Sequence, residues 1–519
     1  MAILTENIYV DILAVAVSII IVIVTIFKWQ FGYWERRGVY APEPTIPFGN
    51  AKDLLSQKVS LGVAIKNAYD DIKSKGHKFG GYYVLGKPIF IPVDLDLVKS
   101  MLTKDFIHFT NHLNAANEED DPLTGHLFTL KGAKWKNLRT KLTPTFTSGK
   151  IKMMFPTLID CSANLVTLVD KYLDEKQPLD IKDVVARFTT DIIGSCAFGI
   201  ECNSLQNPNS EFREYGRKIF DLTVWEGIVK LITLTVPNLV VYLKIRTYSK
   251  QMCSFFTNIV TETVNYRETN NIVRKDFMHL LIQLRNNVKI TESDIGDLKN
   301  INNSNNVPSL TMNEVTAQAF VFFAAGFETS STTTTFCLYE LVQNPELQDK
   351  VREEINTVCE QYNGELTYDG VMKLKYMEKC INETLRKYPP LPIHTRECTE
   401  TYKIPGTNLV INKGTSVLIP VMGIQNDPEY YPDPDRFDPE RFSENVDKRH
   451  PAAWIPFGDG PRICIGLRFG MIQTKVGLAA LLKRFRFTLH PKTELPLYLE
   501  PKGLIISVRS GVWLQAERI

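Results

Sequence analysis

Hydrophobic positions change their spacing along the chain. From Ile8 to Phe27 they are nearly continuous: IYVDILAVAVSIIIVIVTIF is 20 residues with Asp11 as its one charge, long enough to span a hydrocarbon core. Further on they recur every three to four positions, over 151–174, 179–199, 210–230, 251–268, 275–286, 312–343, 345–361, 371–387 and 464–485, which predicts amphipathic helices. Short apolar runs near 79–85, 88–93, 401–405, 408–411 and 415–419 predict a few short strands. The expected class is mainly α with small β-sheets.

Glu6 and Asp11 stand before or within the first apolar run, and Lys28, Arg36 and Arg37 follow it. A cleaved signal peptide has its basic residues first, so the pattern predicts a retained anchor whose basic flank keeps the body on the cytosolic side. Trp29, Tyr33 and Trp34 suit the interfacial belt. Pro42, Pro44, Pro47 and Gly49 then read as a stiff extended spacer, or as an ordinary proline-rich linker. With no later repeat or linker, the chain divides into an anchor (1–28), a basic and proline-rich hinge (29–50) and one body (51–519), with a polar Asn-rich loop at 295–309.

Lys and Arg number 60 against 58 Asp and Glu, a net charge of +2, which argues against nucleic acid held on a broad basic surface. The nine cysteines include no C-x-x-C pair, which favours reduced thiols over a disulfide scaffold or zinc ribbon.

The longest predicted helix starts at a capping-box pattern, Thr311 to Glu314, runs to Asn344 before Pro345, and would be about 50 Å long. Its middle, VFFAAGFETSSTTTTF, places Gly326 among hydroxyl side chains that can bond back to the backbone. That predicts either a widened turn beside a ligand or a poor helix tolerated because it is buried. Phe457–Gly466, FGDGPRICIG, opens another helix; Gly458 and Gly460 permit a tight turn and close approach to a flat ligand. Cys464 at that helix start, with Arg462 two residues away, is expected to carry a lowered pKa and to act as a ligand.

The cysteine string closely resembles the haem-ligand loop of cytochrome P450, and Ala325–Ser330 (AGFETS), Glu383–Arg386 (ETLR) and Pro439–Phe442 (PERF) fall in that family's order. The anchor and hinge resemble the microsomal branch, and YWERRGVYAPEPTIPFGN with FGDGPRICIGLRFG looks most like the insect family-six type. The resemblance covers nearly the whole chain and implies the cytochrome P450 fold behind an N-terminal transmembrane helix. It also implies haem b, iron protoporphyrin IX, as cofactor. By that resemblance Cys464 is the iron ligand, with Phe457, Gly458 and Ala325 also against the haem. Trp135, Arg139 and Arg462 hold its propionates. His112 and His394 sit where members often place a further propionate donor, or are ordinary loop polars. Glu328 and Thr329 resemble the acid–alcohol pair that delivers protons to dioxygen, and Glu383, Arg386 and Arg441 a buried structural lock.

The stretch 106–130 should form a lid loop, its Glu118–Asp121 run a solvated tip, and Phe106, Phe109, Leu113 and Phe128 are pocket candidates. Phe320, Phe323, Ile393, Leu504 and Ile505 complete that expected wall, and 229–245, with Pro237 inside, resembles the segment that dips into the membrane. With no Gly-rich dinucleotide fingerprint, electrons must come from another protein. The resemblance implies NADPH–cytochrome reductase, with cytochrome b5 a further candidate, docking near Lys136, Lys141 and Arg468 at the endoplasmic reticulum membrane. It implies an NADPH- and O2-dependent monooxygenase acting on lipophilic small molecules. Xenobiotics such as plant toxins or insecticides come first, and endogenous hormones or fatty acids second. Two other classes compete: a peroxide-rearranging haem-thiolate isomerase, disfavoured by Glu328 and Thr329, and a haem-binding protein without turnover.

Overall fold

The computed structural model describes residues 7–519 apart from 115, 221–226, 228, 230, 231, 233–235, 237, 238, 240, 241, 287–308 and 445–447. Helix α1 (Ile8–Phe31) is capped by Asn7, whose side chain accepts from Tyr9 N, and leaves most of its apolar side chains exposed. Among the described residues it is the one helix long and apolar enough to cross a membrane. Trp29 is exposed, but Trp34 is buried, lying so close to Gly81 that any larger residue there would strike its ring. The proline-rich stretch is not a free spacer either: it is bonded to the first strand through Gly81 N to Tyr40 O (2.7 Å) and Asn50 N to Tyr83 O (2.8 Å).

Two large cores, and a small cluster around Phe336, Met422 and Ile506, are built behind this entry. Strands β1 (Phe79–Val84) and β2 (Lys87–Pro92) pair as a hairpin. The larger helical core holds α2 (Gly132–Leu142), α3 (Ser148–Asp174), β3 (Leu179–Asp180) and α4 (Ile181–Ile193). It also holds α5 (Met312–Gln343) and α6 (Lys375–Lys387). Then β4 (His394–Glu397), the small hairpin β5 (Tyr402–Lys403) with β6 (Val410–Ile411), and β7 (Ser416–Ile419) follow. The first sheet runs β1-β2-β7-β4, with β2 parallel to β7. Helix α7 (Leu467–Arg484) leads into β8 (Phe485–Leu489), which pairs with β9 (Trp513–Arg518), and β3 completes that sheet.

Helix α5 crosses the helical core, buried along most of its length, and carries the predicted capping box: Glu314 N donates to Thr311 Oγ1 (3.2 Å) and Thr311 N to Glu314 Oε2 (2.8 Å). Its middle does not open. Thr329, Thr333, Thr334 and Thr335 hydroxyls donate to the carbonyls four residues earlier at 2.6–2.9 Å while the helix continues. Gly326 serves close packing, since a Cβ there would lie 2.6 Å from Ile193 Cδ1 of α4.

The predicted helix 371–387 breaks at Leu374 into Tyr368–Lys373 and α6. Leu61–Ser74 and Leu95–Leu102 are helices that the periodicity did not mark, and β3, β4, β8 and β9 are strands it did not mark. Helix 210–230 is described as Glu211–Lys218. Its continuation from 221, most of the loop 295–309 and Pro237 in 229–245 lie outside the described residues.

Candidate functional site

The cysteine loop is set by two glycines with positive φ, Gly458 (74°) and Gly460 (68°). A Cβ on Gly460 would fall 1.9 Å from Leu102 O, so only glycine lets the turn lie against the end of helix Leu95–Leu102. Gly460 N donates to Asp459 Oδ1 (2.7 Å), Asp459 pairs with Lys99, and Cys464 N donates to Phe457 O (2.9 Å). Cys464 keeps accessible surface as a residue although protein crowds its sulfur, and the eight other cysteines are buried. Burial pushes its pKa up, opposed by the Gly466 N–H and the Arg139 guanidinium. The lowered thiol pKa expected from the sequence is therefore not found, and the neighbouring cation is Arg139 rather than Arg462.

Across from this loop, Gln473 of α7 donates to Gly326 O (3.4 Å), which brings α7 against the middle of α5. Ala325 is exposed there although most of α5 is buried. Cys464 and Ala325 are the exposed positions of this region, termed the cleft below, and partly exposed Val321 and Thr329 share the Ala325 face of α5.

One flank of the cleft is cationic, and among the described residues no carboxylate pairs with Arg139, Arg396 or Arg462. Arg462 lies 4.0 Å over the Trp135 ring and donates to Thr110 O (2.9 Å), Leu127 O (3.3 Å), Phe128 O (3.4 Å) and Leu130 O (2.8 Å), stitching down the loop ahead of α2. Arg396 of β4 is 1% exposed, paired across the sheet with buried Val417, and its Nε has no partner among the described residues. Arg139, half-buried, has no ion pair among the described residues. Burial, then Arg396 and Arg139, pushes Arg462 down to about 9; burial pushes Arg396 down to about 10. His112 Nδ1 lies 3.0 Å from Thr395 O and 3.3 Å from an Arg396 nitrogen, its ring stacked on Phe128. Burial and these arginines hold it well below the usual histidine range, hence neutral. His394 Nε2 lies 2.7 Å from Ile455 O, and burial lowers it to about 4. Such a flank, beside an accessible cysteine, fits a flat dianionic ligand that brings its own carboxylates.

Thr329 Oγ1 donates to Ala325 O (2.6 Å). The Glu328 carboxylate instead meets Lys182 of α4 at 2.8 Å. The lock is assembled: Arg386 donates to Glu383 through Nε (2.7 Å) and its second fork nitrogen (2.9 Å), with both side chains fully buried. Arg441 Nε stands 3.4 Å from Glu383, within ion-pair reach but not aligned as a hydrogen bond.

The nine pocket candidates do not form one wall. Phe320 and Phe323 are fully buried on the opposite face of α5, among Phe256, Phe198 and Phe212. Phe109, Leu113 and Ile393 belong to the sheet core, and Ile505 is buried. Phe106, beside Trp135, Phe128 and Leu504 keep accessible surface. The Glu118–Asp121 run is not simply a solvated tip, because Asp121 is 1% exposed and accepts from Thr247 N (2.7 Å) and Tyr248 N (3.0 Å). Arg396 and Lys182 were missed; β4 was not marked as a strand, so no spacing pointed to Arg396.

The family model described as Cytochrome P450 matches residues 42–513. Cytochrome P450 6a2 of Drosophila melanogaster is 42% identical over 499 residues, 95% of this chain and 97% of the relative. Cytochrome P450 6A1 of Musca domestica is 43% identical over 497 residues, 95% of each chain. Cytochrome P450 6a8 of Drosophila melanogaster is 41% identical over 511 residues, 97% of this chain and 98% of the relative.

Proposed function

The chain belongs to the cytochrome P450 family, a haem-b monooxygenase fed by a redox partner and acting on small molecules, and from that premise we propose an NADPH-dependent, membrane-anchored enzyme that oxidises lipophilic xenobiotics. The observation that carries the site assignment is accessible Cys464 beside the cationic flank. When bound, the haem supplies dioxygen activation through its thiolate-ligated iron. Cys464 would hold the iron, and Phe457, Gly458 and Ala325 would lie against the haem.

Arg139, Arg396, Arg462 and Trp135 would hold the propionates. Arg396 contributes an Nε without a partner among the described residues. Arg462 acts mainly by fixing the loop that frames the ring edge, since its donors already hold backbone carbonyls. His112 and His394 donate less, because their ring nitrogens already lie within hydrogen-bond reach of backbone carbonyls. Glu328 passes protons inward and the Thr329 hydroxyl orients them over the cleft. Glu383, Arg386 and Arg441 keep the scaffold under Cys464 in register.

Helix α1 supports anchoring in the endoplasmic reticulum membrane with the body on the cytosolic face. Exposed Lys136 and Arg468 suit the acidic surface of NADPH–cytochrome reductase. The test is reconstitution with that reductase in vesicles under isotopically labelled dioxygen, with plant toxins and insecticides compared against steroids and fatty acids. One labelled oxygen in an oxidised xenobiotic supports the reading. Product from a peroxide without NADPH, or turnover of the endogenous lipids alone, contradicts it.

A further inference from the structure

The loop 106–130 carries a buried carboxylate that the site does not use. Asp121 is 1% exposed, and its backbone closes a turn over 117–124: Asp121 N donates to Asn117 O (2.8 Å), Thr124 N to Asp121 O (2.9 Å) and Asn117 N to Thr124 Oγ1 (2.9 Å). The side chain leaves that turn for the start of helix Lys250–Thr269. One oxygen accepts from the N–H groups of Thr247 and Tyr248, just ahead of the N-cap Ser249. The other accepts from Cys253 Sγ (3.4 Å) and lies 4.0 Å from Arg246. Beside it, Asp120 meets Lys244 at 3.5 Å. Among the described residues, every hydrogen bond and ion pair between this turn and 244–253 runs through Asp121 or Asp120.

The far side of the loop is held in the interior. Gln318 of α5, fully buried, accepts from Leu127 N (2.9 Å) and donates to Gly125 O (3.1 Å). It shares the α5 face of Val321 and Ala325, so the loop crosses that face one turn ahead of Val321 and closes that end of the cleft. Arg462 holds the residues that follow, Leu127 and Leu130 among them. Breaking the Gln318 or Arg462 contacts leaves buried polar groups away from water. Thr247, Tyr248 and Arg246 are half-buried and Lys244 is exposed, so water takes over their bonds when the Asp121 side lifts. Exposed Tyr242 and Leu243 border this side and give a lipophilic molecule an apolar approach.

We propose that Asp121 is a positioning residue for ligand exchange: it latches the turn 117–124 to the start of helix Lys250–Thr269, and its release, with Gln318 and Arg462 as the fixed side, opens the seam through which lipophilic ligands pass. Entry and exit cross the same opened state, so the latch sets both rates and leaves the affinity alone. This rests on the reading of the cleft between Cys464 and Ala325 as the haem and substrate site.

The test is stopped-flow absorption on the haem-loaded full chain, with the lipophilic azole clotrimazole as probe and imidazole as a small one. Haem content is checked first. Asp121→Ala is expected to raise the association and dissociation rates of clotrimazole by about tenfold each, the effect of losing one charge-assisted hydrogen bond, at unchanged affinity. Imidazole, small enough to pass while the latch is closed, keeps its parental rates. Asp121→Asn, which retains an acceptor oxygen, lies between Asp121→Ala and the parent. Lys244→Glu sets like charges together at the exposed end of the latch and is expected to raise both clotrimazole rates about threefold; adding Asp120→Lys restores them. Parental clotrimazole rates in Asp121→Ala overturn the latch. So does an altered affinity carried by one rate alone, which makes Asp121 part of the bound site or of the fold. Where Asp121→Ala fails to load haem, the Lys244→Glu series decides: acceleration reversed by Asp120→Lys supports the latch, and parental rates overturn it. A parent whose haem takes up no azole overturns the reading of the cleft, and the latch falls with it.

Discussion

Replacing Glu383 by Ala removes the acceptor of two Arg386 hydrogen bonds and of the Asp438 N–H (3.0 Å), and leaves Arg386 and Arg441 without a counter-charge. Removing one partner of a buried ion pair costs about 3–5 kcal/mol. The orphaned amide adds about 1–3 kcal/mol. That loss is comparable to the whole net stability of a folded domain, about 5–15 kcal/mol. Because the remaining Arg386 donors hold Gln425 O (3.0 Å) and Pro434 O (2.7 Å), and Gln425 Oε1 accepts from Ile455 N, the damage spreads along the chain that leads into the Cys464 loop. Glu383→Ala is expected to accumulate little haem-loaded protein, and Glu383→Gln, which keeps the shape and an acceptor, an intermediate amount. The assay is haem per protein by absorption, with the urea midpoint of the far-ultraviolet dichroism. A Glu383→Ala protein with parental haem content and stability within about 0.5 kcal/mol of the parent would refute the reasoning.

Thr329→Ala should keep haem and substrate affinity while product per NADPH falls by about tenfold and peroxide rises, as expected when a proton-orienting hydroxyl is lost. Equal product per NADPH in variant and parent removes Thr329 from that role. Gly460→Ala should lower the unfolding midpoint, because it forces a side chain onto φ 68° and against Leu102 O; an unchanged midpoint means the turn can move. His126 and His394 are lowered by burial to about 3 and about 4, and His112 is also lowered, so each binds its proton more readily when unfolded. Their contribution to stability is complete above about pH 6.5 and is lost on acidification from there toward pH 4, each by about 1.4 kcal/mol per unit. Urea titrations across that window should show the fall, and His394→Gln a shallower one; a flat profile contradicts it.

The capping box of α5 and the glycine-framed turn at Cys464 were legible because each is a local pattern whose geometry follows from a few adjacent residues. The walls of the cleft were not. Helix α5 is buried on nearly every face, polar residues included, so its periodicity cannot say which face meets the core and which the cleft, and Phe320 and Phe323 look as eligible as Val321. Arg396, Lys182 and Asp121 are charges whose burial is decided by partners hundreds of residues away or on another element, and no spacing announces that. Trp34 misled for the same reason: its place under Gly81 is a tertiary contact beside a segment that otherwise reads as interfacial.

The most direct test of the Cys464 assignment is the carbon-monoxide difference spectrum of the reduced protein. A Soret band shifted far to the red, lost in Cys464→Ser, is the predicted result. A band like that of a histidine-ligated haem, or a red-shifted band that survives Cys464→Ser, would contradict it.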